Sequence, residues 1–357
     1  MRTYSIASIP GDGIGQEVIP SGLEVLRAIA AKSGDFQLRI TAYPWGSAYY
    51  RQHGVMMPED GLEKLETVDA IYFGAVGAIG IPDHITLWGL RLKICQGFDQ
   101  YANVRPTRIF PGVASPLRGG EPGRFDMVIV RENSEGEYAG HGGRAHQGHA
   151  EEVGTETAIF TRAGCARIFR FAYQLAQSRP RKLLTQVTKS NAMRHGMVLW
   201  HEVGTEIAEE FPDVKTDRML VDAMTARMVR DPESLDVIIA TNLHADILSD
   251  LAAALAGSLG IAPTANLNPE RTYPSMFEPI HGTAFDIAGK GIANPIGAVL
   301  SGGMMLEHLG EAQAAASLNA AVERVLAKQK VLPPDLGGHA ATREVVEAIK
   351  AEIAAGA

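Results

Sequence analysis

Residues 4–19, YSIASIPGDGIGQEVI, decide how the first strand becomes the first helix. YSIASI is a short β run, PGDGIG is a glycine turn, and from Gln16 onward Ile19, Leu23, Leu26 and Ile29 keep helical spacing. A glycine turn in that setting invites comparison with the dinucleotide fingerprint G-x-G-x-x-G, in which the backbone approaches a pyrophosphate closely. Here Gly11, Gly13 and Gly15 alternate, and no acidic residue follows about 20 positions later on a second strand. The stretch therefore reads as a tight strand-to-helix turn, and taken alone it points to no particular ligand.

The same alternation continues outward. FQLRITAY alternates as a half-buried strand, and DAIYFGAVG reads as a buried strand ending in glycine. FDMVIVREN, KLLTQVTKS and DVIIATN are further strands, with helices over 161–178 and 193–210 between them. Repeated strand–helix units predict layers of helices on a largely parallel or mixed sheet. The 357 residues exceed what one core usually holds, so two domains or one large unit is expected. Two stretches, 135–157 and 260–291, read as long and irregular, and such loops are usually functional or interfacial.

A net charge of −8 argues against nucleic acid or an anionic membrane as partner, so an anionic substrate needs local arginines and lysines. No run reaches the length of a membrane span, and MRTYSIASIPGDG breaks into Pro and Gly too early for a signal segment. Cys95 and Cys165 are far apart and lack metal spacing, which suggests a reducing, cytoplasmic setting.

Several polar residues sit at strand ends, where α/β sheets present chemistry. Arg131 ends an apolar strand and is followed by Tyr138; Arg105 precedes a proline that holds the chain extended. Both suit bidentate recognition of carboxylates. Lys189 and Asn191 end another strand, where the lysine can act as a phosphate contact, a base or a solvated charge. In ATNLHADILSDLAA, residues 240–253, Asp246 and Asp250 stand one helical turn apart, and Asp222 begins another helix. Acids with no His/Cys cluster suit a hard, oxygen-loving cation such as Mg²⁺ or Mn²⁺, although each also reads as an ordinary helix-end acid. His141, His146 and His149 lie in a Gly-rich stretch with nothing to fix a metal geometry.

IPGDGIGQEV, YANVRP, VRENSEGEY, TKSN, VDAMT, TNLHADILSD and FEPIHGTAFDIAGKGIANP occur in one order across nearly the whole chain. That ordered set resembles the β-decarboxylating dehydrogenases, which include isopropylmalate, isocitrate, D-malate and tartrate dehydrogenases. PDHITLWGLRLKICQGFDQYANVRP and NLHADILSD resemble the branch acting on tartrate and D-malate. His244-Ala245 stands where isopropylmalate enzymes carry an aromatic-Gly pair, and Phe285 where they carry proline.

The resemblance implies an isopropylmalate dehydrogenase-like two-domain fold with a mixed sheet, not a Rossmann fold. One domain would hold 1–100 and 257–357, the other 101–256 with an arm at 135–157 clasping a second subunit. Asp246 and Asp250, with Asp222 from the partner chain, would hold Mg²⁺ or Mn²⁺, whose charge outweighs carboxylate repulsion. Lys189 would take the hydroxyl proton and Tyr138 would return one to carbon; Arg91, Arg105 and Arg131 would hold carboxylates. Asn191, Glu278, His281, Gly282, Asp286, Ile287 and Asn294 would contact NAD, and the family likeness suggests a monovalent cation such as K⁺.

The implied reaction is NAD- and metal-dependent oxidation of tartrate, oxidative decarboxylation of D-malate and decarboxylation of meso-tartrate. The implied assembly is a homodimer with shared active sites. A dedicated D-malate dehydrogenase and an isopropylmalate dehydrogenase are alternatives, and the charged GLRLK stretch speaks against an isopropyl pocket. A silent regulatory subunit is the reading from another class; the presence of Tyr138, Lys189 and the three aspartates opposes it. In the family's usual pattern an arginine stands ten residues before Arg105, where this chain has Cys95, and Arg91 one turn earlier is read as taking over its task.

Overall fold

The structure, a computed structural model, describes residues 1–356. Its strands are β1 (Arg2–Gly11), β2 (Phe36–Ala42), β3 (Ala70–Ala75), β4 (Ala102–Arg108), β5 (Asp126–Glu132), β6 (Gly136–Ala145), β7 (Val153–Ile159), β8 (Leu183–Thr188), β9 (Lys215–Leu220), β10 (Val237–Ala240), β11 (Pro263–Leu267) and β12 (Ser275–Pro279). They fall into two compact units. The terminal unit holds residues 1–100, 105–124 and those from Ala253 onward; the central unit holds 101–104 and 125–252. The chain passes from one to the other within β4, and the segment Arg105–Arg124 packs with the terminal unit.

In the terminal unit the strand order is β2-β1-β3-β12-β11, parallel except for the antiparallel β11–β12 pair, so the sheet is mixed. Alternate side chains of one strand serve opposite faces. Ile6, Tyr72 and Phe277 join one core with the helices Gly15–Ser33, Ile296–His308, Ala312–Lys328 and Thr342–Ala355. Ala7, Ile9, Ile71, Phe73 and Met276 join the other core with Trp45, Leu90, Ile94 and Cys95. The helix Gly15–Ser33 buries Ile19, Leu23, Leu26 and Ile29, the face read from the periodicity, together with Val18, and ends on Gly34 in the left-handed conformation.

The glycine turn is built for close approach. Gly11 and Gly13 have φ of 70° and 55°, and a Cβ on Gly13 would collide with the backbone of Thr283. Gly13→Ala is expected to cost about 2–4 kcal/mol, combining left-handed strain with the displaced loop. A thermal melt within 1 °C of the parent would contradict this.

In the central unit β5-β10-β8-β9 are parallel throughout. The helix Arg162–Ser178 starts at Thr161, whose side chain accepts from Gly164 N–H. The second predicted helix runs over Gly196–Ala208. The stretch 135–157, expected to be irregular, is mostly an antiparallel hairpin of β6 and β7, with His141 opposite Thr157. Its outer part is exposed, so no apolar face marks it in sequence. Likewise 260–291 contains β11 and β12. No helix of the described residues is long and apolar enough to cross a membrane.

Candidate active site

Arg131 is the penultimate residue of β5, with its side chain 2% exposed, an arrangement that costs stability unless the charge is paired. The register pairs Arg131 with Ala240 of β10, which sets the guanidinium against the helix Asn242–Ala256 that follows. Nε and Nη2 donate to Asn242 Oδ1 at 2.9 and 2.7 Å, and Nη1 bonds Asp246 Oδ1. The guanidinium carbon lies 5.1 Å from the centroid of the Tyr138 ring. A buried guanidinium, a carboxylate and a phenol therefore share one place. Asp250, one turn on from Asp246, is exposed.

The neighbour of Tyr138 in β6 fixes this helix. Glu137 accepts from Thr241 Oγ1 and from Leu243 N–H, both at 3.1 Å, satisfying donors at the helix start. Neither Glu137 nor Asn242 was picked out from sequence. The only local signal is Asn242 itself, the last residue of DVIIATN, at a strand-to-helix junction where helix caps are common. His244, in the same first turn, is buried, and its Nδ1 has no hydrogen-bond partner. Burial pushes its imidazole down, Glu137 pulls it up and Lys189 adds a further push down.

Lys189 and Asp222 form a second cluster of the central unit. The register of β8 with β9 sets Thr188 beside Leu220, so the residues beyond each strand end meet. Lys189 Nζ donates to Asp222 Oδ1 at 2.7 Å. That hydrogen bond holds the Asp222 carboxyl below the usual carboxylate range. The Asp222 side chain is 66% exposed, open to a ligand or to another chain. Asn191 lies exposed in the turn beyond Lys189.

Among the described residues no three His, Cys, Asp or Glu side chains converge as a metal cluster. Asp246 and Asp250 are hard oxygen donors on one helix face, suited to a divalent cation if further ligands come from outside the chain. His141, His146 and His149 are exposed on or beside the hairpin.

In the terminal unit Arg91 closes a π-helical turn, Leu87–Arg91, of a kind frequent at functional sites. Its side chain, 12% exposed, meets Glu278 at the end of β12. Cys95, one turn later, is a fully buried core residue. Arg105 is buried in β4.

The loop 281–294 follows β12, and Ile14 N–H donates to Thr283 O at 2.9 Å, joining it to the glycine turn. Glu17 accepts from Gly291 and Ala293 N–H and so pins the far end. Burial pushes the His281 imidazole down, and its Nε2 is a buried polar atom without a hydrogen-bond partner. Ile287 packs on the core, Gly282 and Asp286 are exposed, and Asn294 donates to Asp335 at 2.9 Å. A cleft of about 880 Å³ opens beside this loop, lined by Gly11, Gln16, Trp45, Gly77, Ile79 and Phe285 among others. It lies outside the carboxyl ends of β1, β2 and β3, where the strand order reverses and open α/β sheets bind ligands.

The family model for isocitrate/isopropylmalate dehydrogenase matches residues 5–349. The chain belongs to that family. It is 68% identical over 349 residues to a probable tartrate dehydrogenase/decarboxylase of Agrobacterium vitis, covering 98% of this chain and 96% of the relative. It is 51% identical over 356 residues to a decarboxylating D-malate dehydrogenase of Escherichia coli K12, with 98% of each covered. The crystal structure of isocitrate dehydrogenase from Methylococcus capsulatus superposes with a TM-score of 0.87 at 35% identity, covering 98% of this chain and 99% of that one. The chain is thus an oxidoreductase of the α/β class with the isocitrate dehydrogenase-like fold.

Proposed function

We propose that the protein oxidises tartrate, oxidatively decarboxylates D-malate and decarboxylates meso-tartrate, using NAD⁺ and Mg²⁺ or Mn²⁺. The observation that carries this reading is the Arg131–Asp246–Tyr138 cluster, in which a buried guanidinium, a metal-type carboxylate and a phenol meet. The names of the Agrobacterium vitis and Escherichia coli relatives support the choice of substrates.

NAD⁺ supplies the hydride acceptor, and the divalent cation supplies positive charge that favours the alkoxide and the enolate. Asp246, Asp250 and the partner chain's copy of Asp222 are the acids that would hold the cation. Lys189, also acting in the neighbour's site, takes the substrate hydroxyl proton. Once the 2-ketone has formed, the bond to the β-carboxylate breaks as CO₂ and its electron pair becomes the enolate. Tyr138 protonates that carbon. Arg91, Arg105 and Arg131 hold carboxylates so that the reacting carbon is fixed.

Asn191, Glu278, His281, Gly282, Asp286, Ile287 and Asn294 would bind NAD⁺, and a monovalent cation such as K⁺ remains part of the reading. The buried thiols Cys95 and Cys165 support a reducing, cytoplasmic setting. The exposed hairpin 136–159 supports a homodimer, because so thin a segment buries little of its own surface.

Substrate and cofactor are tested in one panel. D-malate and tartrate are expected to outrun isopropylmalate and isocitrate by about 10²-fold or more in kcat/KM, on the scale set by buried charge pairing. NAD⁺ is expected to outrun NADP⁺, because the exposed Asp286 carboxylate repels a 2′-phosphate. Preference for isopropylmalate, or equal use of both cofactors, would overturn the respective assignment.

A further inference from the structure

Arg91 and Glu278 stand 187 residues apart in sequence and meet in the terminal unit. Nε donates to Glu278 Oε1 at 2.9 Å and Oε2 at 3.1 Å, and Nη2 donates to Oε1 at 2.6 Å. The carboxylate is itself fixed: Asn266 Nδ2 donates to Oε1 at 2.8 Å, while Asn266 Oδ1 accepts from Arg91 Nη2 at 3.4 Å. Asn266 is fully buried on β11. The antiparallel register sets it opposite Met276, so Glu278 is its diagonal neighbour on the same face.

We propose that Asn266 is a positioning residue for the substrate: through Glu278 it fixes the plane of the Arg91 guanidinium and hence where a substrate carboxylate can bind. This rests on the reading that Arg91 receives such a carboxylate.

The physical case has two parts. A guanidinium on a long side chain has many rotamers, and a bidentate carboxylate selects one plane. The contact also commits the Nε side of the fork, so Glu278 sets the direction from which a carboxylate can approach the guanidinium. Because Glu278 offsets the charge of Arg91, recognition there relies on directed hydrogen bonds more than on bare attraction, which favours a short diacid of fixed geometry. Removing Asn266 frees Glu278 to turn and lets the guanidinium plane wander.

The test is a double-mutant cycle with D-malate, NAD⁺ and Mn²⁺. Asn266→Ala is expected to raise KM for D-malate about five- to tenfold, the scale of one hydrogen bond, with kcat within about twofold. Lysine cannot make the forked contact, so in an Arg91→Lys background the same substitution is expected to add less than about twofold. Asn266→Ser serves as the second variant if the alanine protein does not fold. The same factor in both backgrounds, or no KM change while Arg91→Lys alone raises KM, overturns the positioning role. An unchanged KM in Arg91→Lys overturns the reading of Arg91 itself, and the proposal with it.

Discussion

Asp246→Asn is expected to lower kcat/KM for D-malate by about 10³-fold or more, a loss of roughly 4 kcal/mol of transition-state stabilisation. Asparagine keeps the size of the side chain and an oxygen that Arg131 can still bind, so the buried guanidinium is not left unpaired. What it removes is the negative charge that would hold a divalent cation, and with it the positive charge placed over the developing alkoxide and enolate. The variant is expected to melt close to the parent and to need far more Mn²⁺ for half-maximal rate. Steady-state rates across a Mn²⁺ titration, with fold checked by thermal melting, provide the check. Activity within tenfold of the parent at low Mn²⁺ would contradict a metal role for Asp246.

Lys189→Ala and Asp246→Asn proteins, each nearly inactive alone, are expected to regain activity when mixed. Lys189 and Asp222 lie together through their 2.7 Å contact, while Asp246 belongs to the Arg131–Tyr138 cluster. If the first pair serves the neighbouring subunit, a heterodimer carries one site with both Lys189 and Asp246 intact and one with neither. Random exchange in a two-fold dimer then gives about one quarter of parental activity. General-base removal costs about 10²–10⁴-fold, so the recovery stands well above background. No recovery after subunit exchange is proven by mass spectrometry would show that each chain completes its own site.

How much of this was legible in the sequence depends on how local each signal is. The turn at Gly11–Gly15 and the helix after it could be read because glycine spacing and a 3.6-residue apolar period are local properties. The one-turn spacing of Asp246 and Asp250 on one helix could be read for the same reason. The hairpin of β6 and β7 could not, because its outer residues pack on no core and so show no alternation. Glu137 as a helix cap depends on β6 reaching residues 241–243, more than a hundred positions on. The Arg91–Glu278–Asn266 contact likewise exists only once β11, β12 and the π turn are brought together. Periodicity also gave no warning of that π turn, which breaks the i, i+4 ladder for a single turn before Arg91.

The most direct test of the central claim is the stoichiometry of one reaction. With D-malate, NAD⁺ and Mn²⁺, NADH is followed by absorbance and CO₂ is trapped from substrate labelled in the β-carboxylate. Oxidative decarboxylation predicts one CO₂ for each NADH, with both lost together on chelation and restored together by Mn²⁺. NADH without labelled CO₂, or turnover that survives verified metal removal, would contradict the account.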